Sequence, residues 1–399
     1  MIIPKRRLSL AAILFIFLVG FGFWLSPKLE SKKPPQQISK SESSASSSGI
    51  GSSQGLSPGK ALQAGFSSGV DKFPNLGEVQ AAKKFKTPKE KRNYLRILEE
   101  YGFRGSEALA FLKTALNDPD QEVRRAAMRG LGKTETAEAE SILMTYAKDG
   151  VAIEESTEAA LVLGQMTNSA VTEKVENLLS HARDPVLRDH LVDALAGRPW
   201  EQSSRFFTEH LRNPNISVEE KQNALAMLGM RDTAPAGILT GALGDSKEEV
   251  RAGAYQGLAW RNEAKDSAKV RSSLTRETDS GLRSLAYEAW GNQIDAKCSE
   301  IQADYRKETQ PEVQLRALKA WARAYGRQSV KGDAFASEAL GKLEQVAMND
   351  RDPGERKEAL AGLQAIGSKE SKDALGRIAG NNSSARIRNL AKSMSSSGH

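Results

Sequence analysis

Four histidines, one cysteine and a few acidic clusters are the residues of this chain whose types could do chemistry, and their spacing works against it. His181, His190, His210 and His399 include no His-Glu dipeptide, and His181 and His190 stand nine residues apart across a helix break. A metal site needs several such ligands in one coordination shell, and no cysteine joins these two. Cys298 is alone, so it has no thiol partner for a disulfide or a metal pair and reads as a small apolar residue. Asp118-Pro119-Asp120-Gln121-Glu122 alternates acids, but Arg124 or Arg125 stands where a calcium loop needs glycine and oxygen ligands. Gly51-Ser52-Ser53-Gln54-Gly55 and Gly65-Phe66-Ser67-Ser68-Gly69 both satisfy G-x-S-x-G, yet lie in a Ser/Gly-rich stretch with no strand before them or helix after. No phosphate-binding loop is present, and no G-x-G-x-x-G follows a strand. Neither catalysis, nor a cofactor, nor a metal is expected.

The elements that would have to position such residues form one repeated phrase. Leu131, Leu163, Leu195, Leu228, Leu258, Trp290, Trp321 and Leu363 recur at intervals of 32, 32, 33, 30, 32, 31 and 42 residues. Before most of them stands a helix stop and restart, such as Asp118-Pro119, Asp184-Pro185 or Asp352-Pro353, in which Asp caps the new helix and Pro suits its first turn. Val123, Ala126 or Ala127, and Leu131 then share one stripe of a helix, and Gly132 is expected to end it. A period near 32 made of two short helices predicts an α-solenoid, whose units bury their apolar faces only against their neighbours. The interval of 42 residues predicts a longer loop at Gly326–Asp333. Trp290 and Trp321 occupy the core leucine position. Trp260 falls two places after Leu258, and Trp200 follows Pro199 in an inter-repeat loop, so both are candidate partner anchors.

Charge divides the chain unevenly. Residues 1–92 hold 15 Lys/Arg against 5 Asp/Glu, and residues 93–399 hold 42 against 45. A nucleic-acid-binding solenoid concentrates its cations on the array, so nucleic acid is not expected as a partner. Lys5, Arg6 and Arg7 precede the uncharged stretch Leu8–Leu25, which as a helix spans about 27 Å, close to the bilayer core. Trp24 suits the interfacial zone, and the basic flank favours the N-terminus inside, although Lys28, Lys32 and Lys33 blunt the asymmetry. The expectation is an uncleaved single-pass anchor in a bacterial inner membrane with the repeats in the periplasm. The alternative is a cleaved signal, for which Gly20-Phe21-Gly22 is a weak cleavage site. Residues 26–77, rich in Ser, Gly, Pro, Lys and Gln, are expected to be a disordered linker with an r.m.s. span of roughly 40 Å.

The phrase D-P-x-x-x-V-R-x-x-A-x-x-x-L-G resembles the short HEAT repeats, including those named for the phycobilisome-lyase group, over roughly residues 90–395. The resemblance implies an all-α fold: an α-solenoid of about eight helical-hairpin repeats over residues 78–395, after the membrane helix of residues 1–25 and the linker. It also implies a scaffold or adaptor that holds a protein partner on a concave face made by the second helices. Arg124, Arg188, Arg251 and Arg283 match the arginine of the pattern, which in that family usually bridges to a nearby acid in a structural ladder; with Trp200 and Trp260 they complete the candidate partner-binding set. Ile153-Glu154 and Val313-Gln314 lack that arginine, which interrupts the ladder. Two other readings stand beside the scaffold. One is an accessory enzyme or ligand-binding protein of the bilin-lyase kind, and the other is a repeat array that recognises cell-wall glycan.

Overall fold

Short polar side chains start these helices by holding amides that have no partner inside the helix. Asp120 accepts from the Val123 amide, Asp184 from Val186 and Leu187, Asp279 from Leu282, and Asp352 from Gly354. Pro185 and Pro353 then occupy the first helical turn, where a missing N–H costs nothing. The computed structural model describes residues 87–101, 106–231, 234–261, 265–328, 334–349 and 352–396, all within one unit of the chain. The expected anchor and linker, and residues 78–86 of the expected repeat domain, lie outside them. Among the described residues every element is an α-helix, and no helix is long and apolar enough to cross a membrane.

Among the described residues helix α1 (Pro88–Tyr101) comes first, and nine helical hairpins follow it. The first four are α2 (Ser106–Ala115) with α3 (Gln121–Thr134), α4 (Ala137–Tyr146) with α5 (Ile153–Gln165), α6 (Ala170–His181) with α7 (Pro185–Ala196), and α8 (Trp200–Arg212) with α9 (Val218–Gly229). Then come α10 (Ala236–Ala242) with α11 (Glu248–Trp260), α12 (Ser267–Leu274) with α13 (Ser280–Asn292), and α14 (Cys298–Tyr305) with α15 (Pro311–Gln328). The last two pair α16 (Ala334–Asn349) with α17 (Pro353–Ile366) and α18 (Lys369–Asn381) with α19 (Ala385–Ser396). The repeating leucines and tryptophans mark eight of these units. The ninth hairpin is invisible to that ruler, because Ser395 stands eight places after Ile387, where Leu131 follows Val123.

Odd-numbered helices stack directly on one another, while even-numbered helices pack mainly on their hairpin partners. All eight ruler residues lie in the odd row and are fully buried or within 1% of it, between adjacent layers. Glycine sets the pitch of that row. A Cβ on Gly229 would overlap the Gly257 backbone of the next odd helix, and one on Gly326 would overlap the Ala365 carbonyl. A stack pitched more tightly along one row curves toward it, so the odd helices form the inner, concave layer.

Two sequence expectations change here. Gly132 does not end α3, which continues to Thr134; it lies buried where a Cβ would strike Val162 of α5. The longer interval does not go into a loop alone, because α15 runs through Gly326 to Gln328 and has 18 residues, and α16 has 16. Apolar residues keep the helical period through Trp321, Ala324 and Tyr325, so the chain has no reason to stop earlier. The rest of the expected loop, residues 329–333, lies outside the described residues.

Candidate partner-binding face

Once the ruler residue of an inner helix is buried between layers, the residues six and two places before it and two places after it turn toward the groove. On α3 these are Arg125, Arg129 and Lys133; on α7, Asp189, Asp193 and Gly197; on α15, Leu315, Lys319 and Arg323. On α11 the last of the three is Trp260, which is 41% exposed. Trp260 therefore belongs to the inner face, at its edge. Trp200 does not lie free in a loop: it begins the outer helix α8, half-buried, with its ring stacked 6.5 Å from Phe207.

Charge on this face is arranged in blocks. Near the first repeats, Arg125 and Arg129 both bind the buried Glu158 of α5, each at 2.9 Å. In the middle, Gln222, Gln256 and Ser284 leave the groove polar and uncharged. Toward the end, Lys319 is buried between Glu288 of α13 and Glu358 of α17; Arg323 binds Glu288 and Arg316 binds Glu358, each at 2.6 Å. Burial alone would raise both carboxyls, but Arg323 and Lys319 outweigh it and hold Glu288 at about 2, while Lys319 and Arg316 hold Glu358 low.

The four arginines of the repeated phrase point elsewhere. Arg124 binds Glu155, Arg188 binds Glu220, Arg251 binds Glu277 and Arg283 binds Glu308, each pair joining one repeat to the next. The same guanidinium groups donate to carbonyls at the end of the preceding outer helix, as Arg124 does to Asp118 at 2.8 Å and Arg188 to Ala182 at 2.9 Å. Those carbonyls have no helical partner, so a cation there meets both an acceptor and the negative end of the helix dipole. Tyr255 and Tyr287 donate to Glu277 and Glu308 as well, and His210 lies 3.1 Å from Glu220. Gln314, in place of the expected arginine, still donates to Glu308 O at 2.7 Å, and Arg388 of α19 caps Asn382 O at 2.7 Å.

A second set of arginines, missed in the sequence, lines the edge where the inner helices end. Arg198 is buried and donates to Met166 O, Asn168 O and Gln202; Arg261 reaches Ala234 O; Arg327 reaches Gly291 O and Gln293 O. A sequence signal marks two of the set, because Arg198 and Arg261 each stand three places after a ruler leucine. Trp260 emerges on this edge, as does Ile294, 42% exposed, just past the end of the next inner helix. A recess between α12 and α14 is lined by Arg271, Glu300, Asp304 and Lys307, whose charges are already paired with one another. Among the described residues no cluster of His, Cys, Asp and Glu is arranged to hold a metal ion.

Asp189 and Asp193 on α7 are the under-compensated charges of the groove. Burial pushes both carboxyls up; Asn223 opposes this at Asp189, and Arg231, 3.6 Å away, opposes it at Asp193. A raised folded value means that the native state holds the proton more tightly than the unfolded chain. That advantage is present below the ordinary carboxylate range and is lost as pH rises through the folded values, so at neutral pH both groups cost stability. Asp189→Asn with Asp193→Asn is expected to raise Tm by about 2–4 °C at pH 7 and to leave it unchanged near pH 3. Thermal melts at the two pH values check this; an equal shift at both would mean that the gain is not electrostatic.

The family model for HEAT repeats matches residues 79–155. Among curated proteins, none matches the sequence. Among solved structures, Kap121p is similar over 80% of this chain and 45% of its own, with 12% identity and a TM-score of 0.45. The complex of CpcE and CpcF of phycocyanin lyase from Nostoc sp. PCC7120 is similar over 64% of this chain and 99% of its own (15% identity, TM-score 0.31). Human deoxyhypusine hydroxylase in complex with glycerol is similar over 84% and 94% (16% identity, TM-score 0.29). These scores are low, and what those names describe stays with those proteins.

Proposed function

We propose that this HEAT-repeat solenoid is a non-catalytic scaffold that holds a protein partner along its inner helices, attached to a membrane by the apolar segment Leu8–Leu25. One observation carries the reading: toward both ends of the inner row the cations, Arg125 and Arg129 at one and Lys319 and Arg323 at the other, are already fixed by carboxylates, with Trp260 exposed at the edge between them. Side chains held in place before binding lose little freedom on binding, so such a face suits recognition. A half-exposed tryptophan beside it has the type of residue that dominates interface energetics. The arginines of the repeated phrase are committed to joining repeats, so the affinity rests on Trp260 and the groove residues rather than on them.

The test is a photo-crosslinking amino acid placed at Gln256 or Ser284 of the inner face, with Ser272 of the outer layer as control, in full-length protein in its native cell. The expected result is one protein captured from both inner positions and not from Ser272. Trp260→Ala should then weaken that complex about 10- to 30-fold, measured by calorimetry or surface binding, with the melting temperature unchanged. Capture from Ser272 alone, or retention of full affinity by the variant, would move the interface off this face.

A further inference from the structure

Glycine seats four junctions of the inner row backbone to backbone, and those of α1–α3, α3–α5, α7–α9 and α11–α13 lack such a seat. Gly164 of α5 lies against the Ala194 backbone of α7. Gly229 and Gly253 bring α9 and α11 together, Gly291 meets Ala320 between α13 and α15, and Gly326 meets Ala365 between α15 and α17. Between α7 and α9 no glycine plays this part, and from α1 to α17 these two successive inner helices touch least. Side chains bridge the gap instead. Asp189 meets Asn223, Asp193 faces Arg231, and Arg188 spans to Glu220 with bonds of 2.8 and 3.0 Å.

The outer layer loosens at the same place. Helix α8 packs less closely on its hairpin partner α9 than any other outer helix does on its own. Bulky rings stand where small residues would allow close approach: Phe206 and Phe207 meet edge to face at 5.0 Å, and Phe206 stacks on His210 at 4.6 Å. Two independent features, one in each layer, therefore coincide in a single repeat.

We infer that the α7–α9 junction is the hinge of the array, about which the blocks α1–α7 and α9–α19 change the curvature of the inner groove. Backbone seated in backbone has one arrangement, because any slide creates overlap. Side chains have rotamers, and polar ones can exchange a partner for water, so a gap they span has several arrangements of similar energy. Small rotations there are amplified along the length of each block. The acids of α7 place the joint in the groove itself, so bending there opens or closes the face that carries Trp260.

Pulsed EPR distances on the free, full-length protein test this, with Cys298→Ala as background so that only the introduced cysteines carry labels. Asn177→Cys with Gly237→Cys spans the junction from α6 to α10. Ser272→Cys with Ser337→Cys spans the glycine-seated junction between α13 and α15 over the same number of repeats. All four positions are exposed, and circular dichroism confirms folding. The expected result is a distance distribution about twice as broad for the first pair as for the second. Equal widths, or a broader control pair, would overturn the hinge. No partner takes part, so the outcome is separate from whether the scaffold reading holds.

Discussion

Lys319→Ala is expected to destabilise the array by about 3–5 kcal/mol, read as a fall in the urea midpoint. Lys319 is 6% exposed, and its ammonium stands between the carboxylates of Glu288 and Glu358. Without it, the carboxylates of α13 and α17, on either side of α15, are each left with one arginine. The triple replacement Lys319→Met, Glu288→Gln and Glu358→Gln should recover most of the loss, because a buried pair and a neutral isostere are often close in energy. The pH dependence has a definite sign. The folded values of both carboxyls are depressed, that of Glu288 to about 2, so their contribution is present above the unfolded value of about 4.3 and is lost as pH falls through the folded values. The loss caused by Lys319→Ala should therefore shrink on acidification; a loss independent of pH would mean that the stem of the lysine, rather than its charge, is what matters.

Trp321→Ala is expected to cost about 3–5 kcal/mol, and Trp321→Phe only about 1–2 kcal/mol. The ring is fully buried, stacked on Tyr325 at 4.7 Å and edge-on to Phe335 at 5.1 Å. Alanine leaves a cavity between layers. Phenylalanine keeps most of the contacts and removes the indole Nε1, a buried donor that has no acceptor. Thermal melts of the two variants separate packing from polarity. Equal losses would show that the donor finds a partner such as a buried water.

The fold was legible because its signals are local and periodic. Asp184, Asp279 and Asp352 cap helices as their spacing predicts, and every ruler residue is buried, since a 3.6-residue period decides which side of a helix meets its neighbour. The interrepeat role of Arg124, Arg188, Arg251 and Arg283 was legible only by resemblance. Other features depend on pairs far apart in the chain. Gly132 looks like a helix end and is a point of close approach, because the residue it meets, Val162, is thirty places away. Lys319 looks like any surface lysine until Glu288 and Glu358 enclose it, and Gly326 looks like a loop until Ala365 is seen above it. Of the candidate anchors, Trp260 was placed outside the buried stripe by its offset alone, whereas Trp200 took its position from the rings of α8.

The arginine-to-acid links have a consequence for how such a chain can change in length. Each of the four cations reaches an anion in the next unit, so the register between units is written at joints along the array rather than at the two ends. Where the links fall in successive units, as Arg251 to Glu277 and Arg283 to Glu308 do, excising the hairpin α12–α13 hands Arg251 an equivalent anion, Glu308; where α3 and α7 carry the cation and α5 and α9 the anion, only the removal of two hairpins together does so. A deletion of any other size strands both charges. Growth and shrinkage are thereby quantised, and the molecule behaves as a ruler that can be cut only at its graduations.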